Sequence, residues 1–306
     1  MEGGARVTSP ETSTAISDAA ATASLPAGLR LGPAHLTVTD LDRSVAFYGD
    51  VVGLRVHRRE GAAAALGGGE GEEALVLVEE PGAAAAGRHA GLYHVALLYP
   101  SREELAHAVG RIAVTHAPIE GASDHGTHEA IYLSDPDGNG LELAADRRRE
   151  RWPASLGYDR GPARLDLDGL LALLAGAEPR RRAEPGLTVG HLHLHVGDVE
   201  QGLAFYRDAV GFELMARLPS AAFVAAGGYH HHLGFNVWRG RGVPPAPDGV
   251  VGLRHWTVDL PTSGDAAALR ERVVAAGAAA EEREDGLLVR DPWRNAMLVT
   301  TGERVA

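Results

Sequence analysis

The sequence predicts an α+β protein built from four similar modules, each with one strand, one helix and several further strands. Two stretches 158 residues apart, Asp40–Val56 and Asp198–Leu214, carry closely similar residues. A second pair, Gly91–Pro100 and Gly252–Pro261, interleaves with the first. Internal repeats of this kind indicate that one structural unit is used several times. At 306 residues the chain is also long enough for two domains.

The first pair of repeats predicts a strand followed by a capped helix. Its strands, AHLTVTD and HLHLHVGD, alternate between apolar and polar residues, as half-buried strands do. Each strand ends at an aspartate, Asp40 or Asp198, whose carboxylate can cap the helix that follows. Both helices contain the sequence AFY and end at a glycine, Gly53 or Gly211, which is the usual residue after a helix C-terminus.

The second pair of repeats predicts the same order of elements. Each copy begins with an apolar strand, followed by a helical segment, REELAHAVGRI or DAAALRERVVAAG. Each then has a strand and a turn that starts with Asp-Pro, in DPDGNGLEL at 135–143 and DPWRNAMLV at 291–299. The four modules therefore begin near residues 33, 91, 188 and 251.

The hairpin at residues 124–146 contains the most informative single residue. Its centre, at 135–139, is rich in turn-forming residues, and β-prone residues flank it on both sides. Glu142 stands between Leu141 and Leu143, so its carboxylate points to the opposite face of the strand from theirs. Such a glutamate either is solvated on an outer face or, on an enclosed face, needs a partner such as a metal ion.

The remaining segments are predicted to be a tail and a connector. Residues 1–30 are small and polar without periodicity, which predicts a disordered tail, and they lack the features of a secretory signal. Residues 147–186 combine charged runs with one short helical segment, which predicts a solvated spacer. The modules then occupy 31–146, with modules one and two, and 187–302, with modules three and four.

Composition excludes several classes of function. The net charge of −12 argues against binding to nucleic acid or to anionic membranes, and no apolar run reaches the length of a membrane span. The chain has no cysteine, so disulfides and thiolate ligands are excluded, whereas its fifteen histidines can supply metal ligands. We expect a cytoplasmic protein; the sequence does not decide between a monomer and a homo-oligomer.

The four modules, with the AFY helices and the DPDGN-x-x-E hairpin, resemble the vicinal oxygen chelate superfamily of glyoxalases, bleomycin-resistance proteins and extradiol dioxygenases. Within it the chain is most similar to four-module proteins like catechol 2,3-dioxygenase. The resemblance covers roughly residues 31–146 and 187–301. It implies that modules pair to form two curled mixed sheets, one of them around a metal.

The resemblance implies a metal site at His94, Glu142 and His191. These positions match ligand positions of the superfamily in modules two and three, and together they supply two imidazoles and one carboxylate. This set requires module two to pair with module three. If module three pairs with module four instead, the set becomes His191, His255 and one histidine of the 230–232 run, without a carboxylate.

The same resemblance implies three catalytic residues. Tyr132 lies ten residues before Glu142, His125-Gly126 lies upstream of it, and His231 fits the position of an acid/base histidine. His230 or His232 would fit if the register shifts by one residue. Each has an ordinary structural interpretation as well, as a core tyrosine, a loop histidine or part of a surface histidine cluster.

The function implied is ring cleavage of a catecholic substrate by O2 at a non-haem Fe(II), that is, an extradiol dioxygenase of aromatic catabolism. The same ligands also suit Mn(II). One alternative is a glyoxalase-like lyase or isomerase, although only one glutamate matches the ligands of that enzyme. Another is a non-catalytic ligand-binding module. The sequence does not define the ring substituents of the substrate; Phe223, Phe235 and Trp238 are expected to line its pocket.

Overall fold

The computed structural model describes residues 24–69 and 72–302. Strands dominate this part of the chain, as predicted. In chain order the strands are β1 (Arg30–Val38), β2 (Arg55–Glu60), β3 (Ala63–Gly67), β4 (Leu75–Glu79), β5 (Gly91–Tyr99), β6 (Gly121–Asp124), β7 (His128–Ser134), β8 (Gly140–Asp146), β9 (Ala163–Arg164), β10 (Thr188–His195), β11 (Glu213–Leu218), β12 (Ala221–Ala225), β13 (Leu233–Asn236), β14 (Gly252–Leu260), β15 (Ala279–Arg283), β16 (Gly286–Arg290) and β17 (Ala296–Thr301).

The strands form two mixed sheets, and each sheet combines modules from both halves of the sequence. The first has the order β15-β16-β17-β14-β1-β4-β3-β2 and combines modules one and four. The second has the order β11-β12-β13-β10-β5-β8-β7-β6-β9 and combines modules two and three. The expected pairing of module two with module three is therefore confirmed. It occurs through antiparallel pairing of β10 with β5, in which His193 lies opposite His94.

Five α-helices lie in the described residues, one after the first strand of each module and one in the spacer. They are α1 (Leu41–Phe47), α2 (Arg102–Thr115), α3 (Leu167–Leu171), α4 (Val199–Leu203) and α5 (Ser263–Ala275). The predicted caps of α1 and α4 are confirmed, because Asp40 and Asp198 each accept a hydrogen bond from the backbone of the first turn. Both helices continue into a wider π-helical turn that ends at Gly53 and Gly211, with φ of 91° and 102°. None of the helices in the described ranges is long and apolar enough to cross a membrane.

The repeated AFY and Asp-Pro sequences connect neighbouring modules. The hydroxyl of Tyr48 donates to Asp135 at 3.1 Å, and the hydroxyl of Tyr206 donates to Asp291 at 3.0 Å. Both tyrosines are buried, so each hydrogen bond satisfies a polar group inside the core. In both halves, therefore, the helix end of one module is attached to the final turn of the next.

The end of the expected tail and the spacer are both part of the folded structure. Residues 1–23 lie outside the described residues. Leu25 and Leu29, however, are buried in the main hydrophobic cluster, and the backbone of Leu25 donates to the carbonyl of Gly211. The spacer adds β9 to the edge of the second sheet through β6. Residues 24–30 and the spacer thus differ from the expected disordered tail and solvated connector, because their leucines bury apolar surface.

Candidate active site

One face of the second sheet brings His94, Glu142 and His191 together, from β5, β8 and β10. The Nε2 atoms of His94 and His191 lie 3.1 Å and 3.2 Å from Oε2 of Glu142. All three side chains are buried, and one potential ligand atom from each lies within 4.8 Å of the others. Leu141 and Leu143 on either side of the glutamate face the hydrophobic core, as the alternation along the strand predicted.

The chemistry of this group fits a divalent metal ion. His94 Nε2 and Glu142 Oε1 are buried and have no hydrogen-bond partner of acceptable geometry among the described residues. Polar atoms in that state are costly unless a partner such as a cation is bound. Two neutral imidazoles and one carboxylate are a set that suits Fe(II) or Mn(II) and leaves other coordination positions free.

The protonation states also suit metal binding. Burial alone would raise the pKa of Glu142, but the surrounding imidazoles, His191 foremost, hold that pKa well below its usual range. Burial lowers the pKa of His191 to about 4, although Glu142 opposes this shift. At neutral pH the carboxylate is therefore ionised and the imidazole is neutral, which are the forms that bind metals.

A further imidazole, His128, contacts the second oxygen of the same carboxylate, and sequence reasoning did not identify it. Its Nε2 lies 3.1 Å from Oε1 of Glu142, and its Nδ1 lies 2.9 Å from the hydroxyl oxygen of Thr127. The one signal in the sequence is the periodicity of β7. His128 lies four residues before the candidate Tyr132, and residues four apart on a strand share a face.

His125 and Tyr132 form a hydrogen-bonded pair beside the metal candidates. The Nε2 of His125 lies 2.8 Å from the hydroxyl oxygen of Tyr132. Burial is the main cause that raises the pKa of Tyr132, with a further contribution from the charge of Glu142. Burial likewise lowers the pKa of His125 to about 4, so the phenol is protonated and the imidazole neutral at pH 7.

Of the three consecutive histidines, His231 lines the cavity in front of the metal candidates. Its ring centroid lies 4.1 Å from that of His191. The Nε2 of His230 instead lies 3.1 Å from Asp146. His232 does not line this cavity, and its Nδ1 accepts a hydrogen bond from the backbone N–H of Ala226. Burial holds the pKa of His231 well below its usual value, so it is a neutral imidazole at pH 7.

The candidate residues share one cavity of about 250 Å³, a small volume for a ligand site. Its outer wall is mainly aromatic and apolar, formed by Tyr93, Leu218 and Phe223 from the sheet, by Trp238 from the turn after β13, and by Leu156, Tyr158 and Pro162 from the spacer. Phe235, expected in this wall, is instead fully buried on the other face of β13, where its ring packs 5.3 Å from Tyr206. That expectation was wrong because side chains alternate between the two faces of a strand.

The spacer covers the cavity, which no feature of the sequence had indicated. Tyr158 packs its ring 4.6 Å from Phe223, and its hydroxyl lies 3.1 Å from Nδ1 of His231. Leu156 and Gly157 have left-handed backbones, with φ of 53° and 82°, which turn the chain back over the site. Leu156, Tyr158 and Pro162 of this segment line the cavity.

The first sheet does not contain the alternative metal set. His255 lies on β14, opposite His35 on β1, and the two rings stack at 3.9 Å. His191 lies on β10 in the other sheet, so the proposed combination of His191, His255 and the 230–232 histidines is wrong. The position of Glu142 is taken in this sheet by buried Leu298, so no carboxylate faces the histidine pair from β17.

Comparison with known proteins agrees with the fold. The chain matches the Glyoxalase/Bleomycin resistance protein/Dioxygenase superfamily over residues 30–143 and 188–295. It is 40% identical over 274 residues to the catechol-2,3-dioxygenase of Bacillus subtilis (strain 168), a match that spans 88% of this chain and 95% of that protein. The fold is similar to the crystal structure of glyoxalase I from Zea mays, with a TM-score of 0.57 at 18% identity, covering 89% of this chain and 92% of that one. It is also similar to cppA from Streptococcus pneumoniae TIGR4, with a TM-score of 0.55 at 14% identity, covering 89% and 100%.

Proposed function

Because the chain belongs to the glyoxalase, bleomycin resistance and dioxygenase superfamily, we propose that it is an extradiol dioxygenase that opens a catecholic ring with O2. In this proposal His94, Glu142 and His191 hold one Fe(II). The observation that carries the proposal is the convergence of two buried imidazoles and one buried carboxylate on one cavity. The catechol-2,3-dioxygenase that is 40% identical to this chain supports the choice of reaction.

The protein residues position the substrate and its protons. A bound iron supplies the redox chemistry that allows dioxygen to react with a catechol. The pair His125 and Tyr132 faces one side of the cavity, and the neutral imidazole can take a proton from a substrate hydroxyl while the phenol donates a hydrogen bond. His231 faces the cavity from the third module and acts as the second acid/base group.

The apolar wall has two roles in this proposal. The rings of Tyr93, Phe223 and Trp238 form a surface against which an aromatic ring packs. The spacer residues exclude water, which strengthens the hydrogen bonds and charges inside the site. A cavity of about 250 Å³ favours a substrate with a single ring.

The geometry favours this function over the two alternatives. Among the described residues only one carboxylate, that of Glu142, lies in the group of His94 and His191. A glyoxalase-like site with a second glutamate ligand is therefore not supported. A purely ligand-binding module would have no need of buried, unpartnered ligand atoms, which cost stability.

The proposal is tested by loading the purified protein with Fe(II) without oxygen and then adding catechol and O2. We expect oxygen consumption and the appearance of a yellow ring-opened product. Glu142→Ala should lose the iron, because two imidazoles alone leave the charge of the cation unbalanced. His231→Ala should keep one iron per chain but lose about 10²- to 10⁴-fold in rate, which is the usual contribution of a positioned acid or base.

The two variants distinguish binding from catalysis. Iron content is measured by elemental analysis, and folding by circular dichroism. Loss of iron from both variants would make His231 a ligand and contradict the proposed set. If iron-loaded wild-type protein neither consumes oxygen nor changes a panel of simple catechols, the dioxygenase proposal is wrong.

A further inference from the structure

Behind His231, away from the cavity, a chain of polar side chains leads to Asp146. The Nδ1 of His231 lies 2.9 Å from the Nδ1 of His230. The other ring nitrogen of His230, Nε2, lies 3.1 Å from Oδ1 of Asp146. None of the hydrogen bonds among the described residues uses the Nε2 of His231, and this side chain lines the cavity.

The positions of the protons follow from these contacts. A carboxylate only accepts hydrogen bonds, so the Nε2 of His230 carries the proton directed at Asp146. A neutral imidazole has a single N–H, so with that proton on Nε2 the Nδ1 of His230 is left without one. A bare Nδ1 can only accept, and the proton between the two rings therefore belongs to Nδ1 of His231.

Tyr158 supports the same assignment. Its hydroxyl lies 3.1 Å from the carbonyl oxygen of His230 and 3.1 Å from Nδ1 of His231. The phenol has one proton, and the carbonyl can only accept it. The phenol oxygen is then available to accept a hydrogen bond from Nδ1 of His231. The Nδ1 of His230 and the phenol oxygen of Tyr158 are thus both placed to accept the proton on Nδ1 of His231.

His230 is held so that it cannot turn away from this chain. Its ring stacks on that of His128, with 4.6 Å between the ring centroids and 16° between the planes. The ring centroid of Tyr229 lies 4.1 Å from that of His230. Tyr229 also donates its hydroxyl to Oδ2 of Asp146 at 2.9 Å, which orients the carboxylate. The side chain of His230 is almost completely buried.

We propose that Asp146, acting through His230, sets the tautomer of His231 so that its bare Nε2 faces the cavity as a proton acceptor. Asp146 and His230 are then positioning residues, and only His231 contacts the substrate. The role of His231 in catalysis rests on the proposed function, whereas its tautomer is a property of the protein that is measured without turnover. In the serine proteases an aspartate orients a histidine in a comparable way.

The competing explanation is a second metal ion. One ligand atom each from His128, Asp146 and His230 lies within 4.8 Å of the others, so these residues are close enough to share a cation. The parallel stacking of the two imidazoles argues against it, because rings that face each other at 4.6 Å do not direct their nitrogens at one ion. The metal content of the protein decides between the two explanations.

The direct test is nuclear magnetic resonance of protein labelled with ¹⁵N-histidine and loaded with Zn²⁺, a diamagnetic probe. Long-range ¹H–¹⁵N correlations identify which nitrogen of each imidazole carries the proton, and the His231 signals are assigned from the spectrum of His231→Gln. We expect His231 to carry its proton on Nδ1. Asp146→Asn should shift it partly or wholly to Nε2, because the amide nitrogen can donate to His230 and reverse the chain.

Two variants of His230 separate the hydrogen bonds from packing. His230→Phe keeps an aromatic ring but removes both polar contacts, and we expect it to lose the Nδ1–H preference and about 10- to 100-fold in kcat, with little change in KM. His230→Gln offers an N–H to Asp146 and a carbonyl to His231, so it should restore the tautomer and part of the rate. The matched control is Asp137→Asn, which alters a carboxylate that is paired with Arg43 away from the site. It should leave the tautomer of His231 and kcat unchanged.

Three outcomes would overturn the proposal. One is a wild-type His231 with its proton on Nε2. Another is an unchanged tautomer and rate in Asp146→Asn and His230→Phe, both folded by circular dichroism. The third is two Zn²⁺ per chain in the wild type and one in Asp146→Asn, which would assign Asp146 to a second metal site. If Asp146→Asn and His230→Phe change the tautomer of His231 as expected but the wild type has no dioxygenase activity, the positioning role of Asp146 and His230 is supported and the proposed function is rejected.

Discussion

At the scale of single residues, the site is a cluster of imidazoles, three of which contact the carboxylate of Glu142. His94 and His191 share one oxygen of Glu142, His128 approaches the other, and His125 is paired with Tyr132. Burial makes the neutral form of these rings the favoured one wherever the pKa is shifted, as at His125 and His191. A cation can therefore bind His191 without first converting an imidazolium to the neutral ring.

The contact between His128 and Glu142 predicts a weaker metal site when that imidazole is removed. We expect His128→Ala to keep one metal per chain but to lower the affinity by about 10- to 100-fold, as loss of a group that orients a ligand does. The measurement is competition for Zn²⁺ against a chelator of known affinity. His232→Ala is the control, since His232 is buried in the same region but does not line the cavity. Equal affinity in wild type and His128→Ala would contradict the prediction.

At the scale of elements, the Asp-Pro turns are the parts that join modules. In the last turn Asp291 accepts hydrogen bonds from Tyr206 and from the side chain of Asn295, and it is almost completely buried. Burial raises its pKa to about 6, more than these hydrogen bonds lower it. The carboxyl group that holds this turn together therefore ionises at a higher pH than a solvated aspartate does.

The raised pKa of Asp291 predicts a specific pH dependence of stability. The folded state binds this proton more tightly than the unfolded state, so the stabilisation by protonation is complete below the ordinary pKa of 3.8 and is lost as the pH rises through about 6. Relative to Asp291→Asn, which cannot titrate, the wild type should lose on the order of 2–3 kcal/mol of unfolding free energy between pH 4 and pH 7. Urea denaturation at several pH values measures the difference.

Asp137→Asn is the control for this titration because its shift has the opposite sign. Burial opposes ionisation of Asp137, but hydrogen bonds from Thr39 and Arg43 outweigh it and lower the pKa. The wild type should therefore gain stability relative to Asp137→Asn as the pH rises from about 3 to 5. If the unfolding free energy of the wild type changed with pH in the same direction relative to both variants, the raised pKa could not be assigned to Asp291.

At the scale of the whole molecule, the two halves of the sequence are not two halves of the structure. β1 pairs with β14, and β10 pairs with β5, so the centre of each sheet is a junction between the first and second halves of the chain. The metal candidates are divided in the same way, with His94 and Glu142 before the spacer and His191 after it. Neither half contains a complete site.

This arrangement predicts that the halves depend on each other. Residues 1–186 expressed alone should aggregate, because β1 and β5 would become unpaired edge strands beside exposed apolar surface. Co-expression with residues 187–306 should give a soluble complex that binds one Zn²⁺ per pair, measured by size-exclusion chromatography and elemental analysis. Intact protein cleaved after residue 186 once folded is the control and should keep its metal. A soluble, monomeric 1–186 fragment would contradict the prediction.

Local patterns in the sequence were enough for the fold class and for several elements. The caps at Asp40 and Asp198, the glycines that end the same helices, and the hairpin around residues 135–139 depend on residues close together in the chain. Their hydrogen bonds and backbone angles are determined locally, so residue type and spacing are sufficient to predict them. The repeats also showed that the modules are alike.

The repeats by themselves do not specify which strand edges meet, because backbone hydrogen bonds are the same for any pair of strands. The pairing of module two with module three was expected only because His94, Glu142 and His191 match ligand positions of one superfamily, and the tertiary structure decided the remaining contacts through side-chain packing across both sheets. The position of Tyr158 over the cavity and the contact of His128 with Glu142 depend on that choice. The sequence by itself thus identified the chemically active residue types, and the long-range packing of the sheets determined which of them face one another.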